Sequence, residues 1–224
     1  STQLVAVALQ YVLLEDQDTG ESFMARARKI NPRVEYENYW YYRPGDAARL
    51  LENARLRLER DPDSPERLAD VGEALTITGD LAAASDYYER ALAATRSPDG
   101  SRVNGRNIYW ATIQAWLLGQ QGRREDGEAL IREVETLIGK LEGISFQGSA
   151  LKLFRVLLSA WQNDADGVLS GTEELADTGF NQVRFIEYNP MLQAWADDPR
   201  FIAAMARIRE RLATQREALR GQGL

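Results

Sequence analysis

Between Asp63 and Arg96 the sequence runs DSPERLADVGEALTITGDLAAASDYYERALAATR. Its small and apolar residues recur at helical spacing. Leu68, Val71, Gly72 and Leu75 precede a break at Gly79-Asp80, and Ala84, Tyr88 and Ala91 follow it. Side chains three and four apart share one face of an α-helix, so each half carries one apolar stripe. Gly72, Ala84 and Ala91 add almost no bulk to that stripe, which lets the two helices approach closely. The stretch therefore predicts a hairpin of antiparallel helices, and its period does not fit strands.

These offsets resemble the tetratricopeptide repeat, with Leu68 where that pattern carries Trp. Residues 1–34 fit the same template through Leu4, Val7, Ala8, Tyr11, Gly20, Met24 and Ala27, with Pro32 ending the second helix. Residues 35–62 form a degenerate unit. Its VEYENYWYY run breaks at Arg43-Pro44-Gly45-Asp46, and Asp46 is the expected N-cap of a helix from Ala47 to about Arg60. Tyr36, Tyr39 and Trp40 are candidates for an aromatic lip over a ligand, or pack a shortened helix against its neighbours. Units at 108–140 and 150–179 follow a turn-rich insertion (SPDGSRVNGRN, Ser97–Asn107) and a second loop from Gly139 to Gly148. Gly179 is the expected C-cap of the last hairpin.

A tail over 189–220 differs in kind. Asn189-Pro190 opens a short helix, and Asp198-Pro199 starts a longer one as N-cap and first helical residue. Phe201, Met205, Ile208, Leu212 and Leu219 form its apolar seam, and Arg200, Arg207, Arg209, Arg211, Arg216 and Arg220 lie off it. A repeat array needs a capping helix with a polar outer face. A coiled-coil homodimer through this helix is the alternative use of the seam. The expected fold is all-α: a single superhelical domain of about five helical hairpins over 1–224, closed by that capping helix and excised from a larger protein.

A net charge of -7 and a pI near 4.9 argue against nucleic acid as a partner of this segment. The chain has no His and no Cys, which removes Ser-His-Asp triads, thiolate nucleophiles and Cys/His zinc sites together. It also removes the usual titration switch near neutrality, so pH sensing would need perturbed carboxylates. The longest apolar run, Leu4 to Leu14, is too short to span a bilayer, so no membrane insertion is expected of this segment.

The closing sequence GFNQVRFIEYNPMLQAWADDPRFIAAMARIRERLATQREALR is more specific than the repeats. Its Asn189-Pro190, Leu192, Trp195 and Asp198-Pro199-Arg200-Phe201 resemble the end of a repeat tail found in three bacterial groups. These are membrane-bound winged-helix transcriptional regulators, class III adenylate cyclases and serine/threonine kinases. The resemblance implies a sensory or regulatory role in signal transduction, with an output domain before Ser1. It implies a place on the periplasmic side of the inner membrane if the chain tails a winged-helix regulator, and in the cytoplasm otherwise. A stand-alone scaffold for envelope-complex assembly is the other role open to such an array.

No Gly-rich phosphate loop or nucleophile motif occurs, no catalytic residue is expected, and no cofactor is implied. The pairs Asp61/Asp63 and Asp197/Asp198 sit where helices begin, which marks them as caps. From Gln162 to Glu173 the spacing of Asp164, Asp166, Gly167 and Glu173 is that of a calcium loop lacking its first carboxylate. The repeat period instead places an inter-helix turn at Asn163-Asp164. In such arrays the first helix of each unit lines a concave groove, which selects Leu9, Val12, Glu73, Thr76, Tyr109, Thr112, Trp116, Leu153, Leu157 and Trp161. Tyr109, Trp116 and Trp161 would give it aromatic character suited to a protein or peptide partner. The two tryptophans pack equally well as core between hairpins.

Overall fold

In the computed structural model, which describes residues 2–32, 47–143 and 148–221, adjacent helices pack in antiparallel pairs. The pairs are α1 (Thr2–Leu13) with α2 (Gln17–Ile30), α4 (Pro65–Thr78) with α5 (Leu81–Ala94), α6 (Ile108–Gln120) with α7 (Arg124–Gly143), and α8 (Ser149–Trp161) with α9 (Ala165–Asp177). Helix α3 (Ala47–Arg60) packs on α4. After α9 come a short α10 (Val183–Glu187), a 3-10 turn over Pro190–Trp195, and α11 (Pro199–Gly221). No strand occurs among the described residues. The arrangement is that of a helical repeat.

One turn design recurs. A residue in the left-handed conformation ends the first helix, and an Asp side chain caps the second. Gly79 (φ 90°) precedes Asp80, whose carboxylate accepts from the Ala83 amide at 3.2 Å. Glu15 (φ 60°) precedes Asp16, and Asn163 (φ 57°) precedes Asp164, which accept from Thr19 and Gly167 at 3.3 and 3.0 Å. Gly122 (φ 77°) occupies the same place before α7. Asp164 is thus a helix cap, and α9 already runs from Ala165, so the twelve-residue calcium loop is not formed.

Three further boundaries move. Ser64, not Asp63, caps α4 by accepting from the Arg67 amide. Helix α7 continues to Gly143, taking in residues expected to be loop. Thr178 closes α9 in an extended conformation (φ -96°, ψ 172°), so Gly179 supplies no left-handed cap.

The largest apolar core joins α3–α6, α8, α9, the 3-10 turn and α11. A second fills the space between α5, α6, α7 and α8. The first hairpin buries Ala8, Tyr11, Val12, Met24 and Ala27, and Phe185 of α10 packs against Ala8, Val12 and Met24. Three polar contacts also reach it from the far end of the chain. Arg184 donates to Gln17 Oε1 at 2.9 Å, Arg216 to the Leu14 carbonyl at 3.0 Å, and Arg220 to Asp16 Oδ2 at 2.6 Å. The array therefore closes its first hairpin onto its last helix.

The arginines of α11 make ion pairs and hydrogen bonds within the chain while their side chains stay partly exposed. Arg200 grips Glu173 with two bonds of 2.9 Å, Arg207 pairs with Asp177, and Arg209 pairs with Glu187. Arg211 donates to the carbonyls of Ala176 and Phe180, where positive charge meets the negative end of α9. Phe201, Met205, Ile208 and Leu212 are buried in the main core. That part of the seam is consumed within the chain and offers no dimer contact.

Two predictions follow from this packing. A Cβ at Gly127 would lie 2.7 Å from the Ala115 carbonyl and 2.8 Å from the Trp161 ring, whereas one at Gly139 meets nothing within 4 Å. Gly127→Ala should cost about 1–3 kcal/mol by overpacking, and Gly139→Ala should add about 0.4–1 kcal/mol in urea unfolding. Burial alone would raise the Asp16 carboxyl, but Arg220 and Thr19 together hold it below its ordinary value. A depressed carboxyl stabilises the fold above the ordinary carboxylate range and loses that contribution as the pH falls through its folded-state value. Arg220→Ala should therefore lower stability near neutrality and flatten the acid limb of a stability-against-pH curve.

Candidate functional site

The first helices of the pairs present Glu73, Thr76 and Ile77 from α4, and Tyr109 and Ile113 from α6, toward one side. That face is largely covered by the chain's own segment from α10 through the 3-10 turn. Tyr109 meets Phe185 edge to face at 5.3 Å. Tyr188, Asn189 and Pro190 close over the same residues. Met191, Leu192 and Trp195 continue into the core that holds Leu153 and Leu157.

This settles where the expected groove residues lie. Leu153, Leu157 and Val12 are buried in the cores, and Thr76 and Thr112 are buried with their hydroxyls donating to Gly72 and Ile108 carbonyls at 2.8 Å. None of these five has surface to offer a ligand. Trp116 is half-buried against the main core. Trp161 is half-buried beside Gly119 and Gly127 with Arg124 over its ring, so it seals α6, α7 and α8 together. Tyr109 is turned inward, its hydroxyl 3.3 Å from Glu73 Oε1. Tyr36, Tyr39 and Trp40 fall outside the described residues. Of the calcium-loop carboxylates, Asp164 caps α9, while Asp166 and Glu173 both face Arg200.

Leu9 and Glu73, both half-buried, border open space. They line a cleft of about 610 Å³ between α1, the α3–α4 corner and α10. Its apolar side is Leu9, Leu13 and Phe185, and its polar side carries Arg57, Asp61, Glu66, Arg67, Asp70 and Glu73. Asp70 is held by Arg57 at 3.1 Å and Arg67 at 3.5 Å. Burial pushes the Glu66 carboxyl up, but its own amide, Arg106 and Ser64 outweigh that and keep it ionised below its ordinary value.

With Arg106 pairing Glu66 from just outside the lining, the described residues set four carboxylates against three guanidinium groups, so the cleft is slightly acidic. Sequence reasoning missed Arg57, although a signal exists. Arg57 falls on the stripe of Leu50 and Ala54, where a helix of this kind expects an apolar residue, and it is buried. Phe185 had no such signal, because its place depends on α10 folding back across the array.

Compared with models of known protein families and with curated protein sequences, the chain matches none.

The buried tyrosines give a prediction. Burial first, and then the Glu73 charge, push the phenols of Tyr88 and Tyr109 well above the ordinary tyrosine value. Their neutral forms stabilise the fold, and that contribution is lost as pH rises past the unfolded-state value. In an alkaline titration, the last tyrosinate absorbance of the nine tyrosines should appear together with loss of the helical circular dichroism signal. Tyr109→Phe should reduce that late step.

Proposed function

We propose that this chain is a non-catalytic, tetratricopeptide-like module that binds an extended peptide in the cleft between α1, α3–α4 and α10. The observation that carries the reading is that Leu9 and Glu73, two positions where such repeats engage partners, are the ones that line the cleft. An apolar wall opposite an excess of carboxylates fits a peptide with basic residues spaced by aliphatic ones. Of the paired carboxylates at helix starts, Asp198 accepts from the Arg200 amide at the head of α11, which supports a non-catalytic role.

In this reading the module is the sensory part of a bacterial signalling or transcription-regulating protein. Binding must favour one of two arrangements of the array to carry a signal. The contacts of α10 with the first hairpin, through Phe185 and Arg184, lie beside the cleft and are the element whose closure a bound peptide would bias.

The test is fluorescence anisotropy with peptides of alternating lysine and leucine, against glutamate-leucine peptides of equal length. The basic peptides should bind, the acidic ones should not, and Asp61→Lys should weaken binding about tenfold with an unchanged helical spectrum. Indifference to the Asp61 charge reversal would sink the proposal.

A further inference from the structure

The insertion Ser97–Asn107 carries the chain's single Asn-Gly pair, Asn104-Gly105, and that pair sits at the centre of the loop's bonding. Asn104 donates through its side-chain nitrogen to the Thr95 carbonyl at 2.7 Å and to Ser97 Oγ at 3.4 Å. Its backbone amide donates to Asn107 Oδ1 at 2.8 Å. Asn107 is fully buried and donates in turn to Thr95 Oγ1 at 2.8 Å and to the Arg102 carbonyl at 2.9 Å. Arg102 fixes the loop to α7, its backbone amide and side chain both bonded to Glu133.

Two features make Asn104 reactive as well as structural. The Arg106 amide donates to Asn104 Oδ1 at 3.0 Å, a bond that spans Gly105 and draws electrons from the side-chain carbonyl carbon. Gly105 is exposed, and it has no side chain to shield its nitrogen. Conformation does not require a glycine there. Its φ lies outside the left-handed region, and a Cβ would meet nothing within 4 Å. Every other asparagine of the chain precedes a residue with a side chain.

We infer that Asn104 is a site of self-modification that loosens the loop. The Gly105 nitrogen attacks the side-chain carbonyl carbon of Asn104 and closes a five-membered imide. The bond from that carbon to the side-chain nitrogen breaks, and the nitrogen leaves as ammonia with the proton of the Gly105 amide. One water then opens the ring at either carbonyl, giving aspartate or isoaspartate and returning a proton to the Gly105 nitrogen. Water is the only co-reactant, and it reaches half-buried Asn104 beside exposed Gly105. Aspartate sets a negative oxygen where a donor faced the Thr95 carbonyl, and isoaspartate adds a methylene to the backbone beside the Asn107 bonds. The change runs one way. Asn104 and Gly105 lie outside the peptide cleft, so the failure of either reading leaves the other standing.

The experiment incubates the whole chain at mildly alkaline pH and follows residues 103–106 by mass spectrometry, a peptide that trypsin frees by cutting after Arg102 and Arg106. Asn104 should gain the mass difference between an amide and an acid, and no other asparagine should. The Asp-Gly pairs at 99, 126 and 166 can close the same ring, but without a change of mass. Gly105→Ala should slow the conversion at least about tenfold with an unchanged helical spectrum. Asn104→Asp should lower the thermal midpoint by about 2–4 °C. An Asn104 still intact when a free peptide of the same sequence has fully converted overturns the inference. So does a Gly105→Ala chain that converts as fast, or an Asn104→Asp chain with an unshifted midpoint.

Discussion

Close approach of paired helices at small residues is the constraint on which the rest of the molecule rests. Each of three hairpins has a glycine where its partner comes close: Gly72 tight against the Tyr88 ring, and Gly127 against the Ala115 carbonyl and Gly171 against Val156 closer than a methyl group allows. At that spacing the apolar stripes interlock, and dispersion adds to the loss of hydrated surface. The caps at Asp16, Asp80 and Asp164 fix where each second helix begins, and so which residues arrive opposite those glycines. Packing and turn chemistry thus specify one register between them.

This division explains what could be read from the chain before its structure. Helix identity, the Ala47–Arg60 helix and the Asn163-Asp164 turn were legible because periodicity and capping are local properties. The groove was legible only in part. Repeat spacing says which helix faces inward, but not whether another segment lies on top of it. Burial of Leu153 and Leu157 comes from the 3-10 turn some forty residues further on. Likewise the arginines of α11 read as a solvated face, since no local pattern shows that α9 ends beneath them with unpaired carbonyls.

The two sites divide along the same line. The peptide cleft uses Leu9 and Glu73, which the repeat pattern picks out, together with Arg57 and Phe185, which it does not. The reactive asparagine depends on an insertion outside the repeat and on a glycine that the local conformation does not require. Departures from a repeating plan are where a repeating plan acquires chemistry of its own.

Closure of the first hairpin onto the last helix also sets the order in which the molecule is completed. Asp16 and Arg220 are separated by 204 residues. On a ribosome adding about 5–20 residues per second, α1 and α2 emerge about 10–40 seconds ahead of α11. Repeat arrays ordinarily gain stability unit by unit from neighbours already made. Here the first hairpin, which buries Ala8, Tyr11, Val12, Met24 and Ala27, also takes bonds from Arg216 and Arg220 of α11. The first hairpin therefore lacks these bonds until α11 has left the ribosome, and a chain cut short before α11 would not make them.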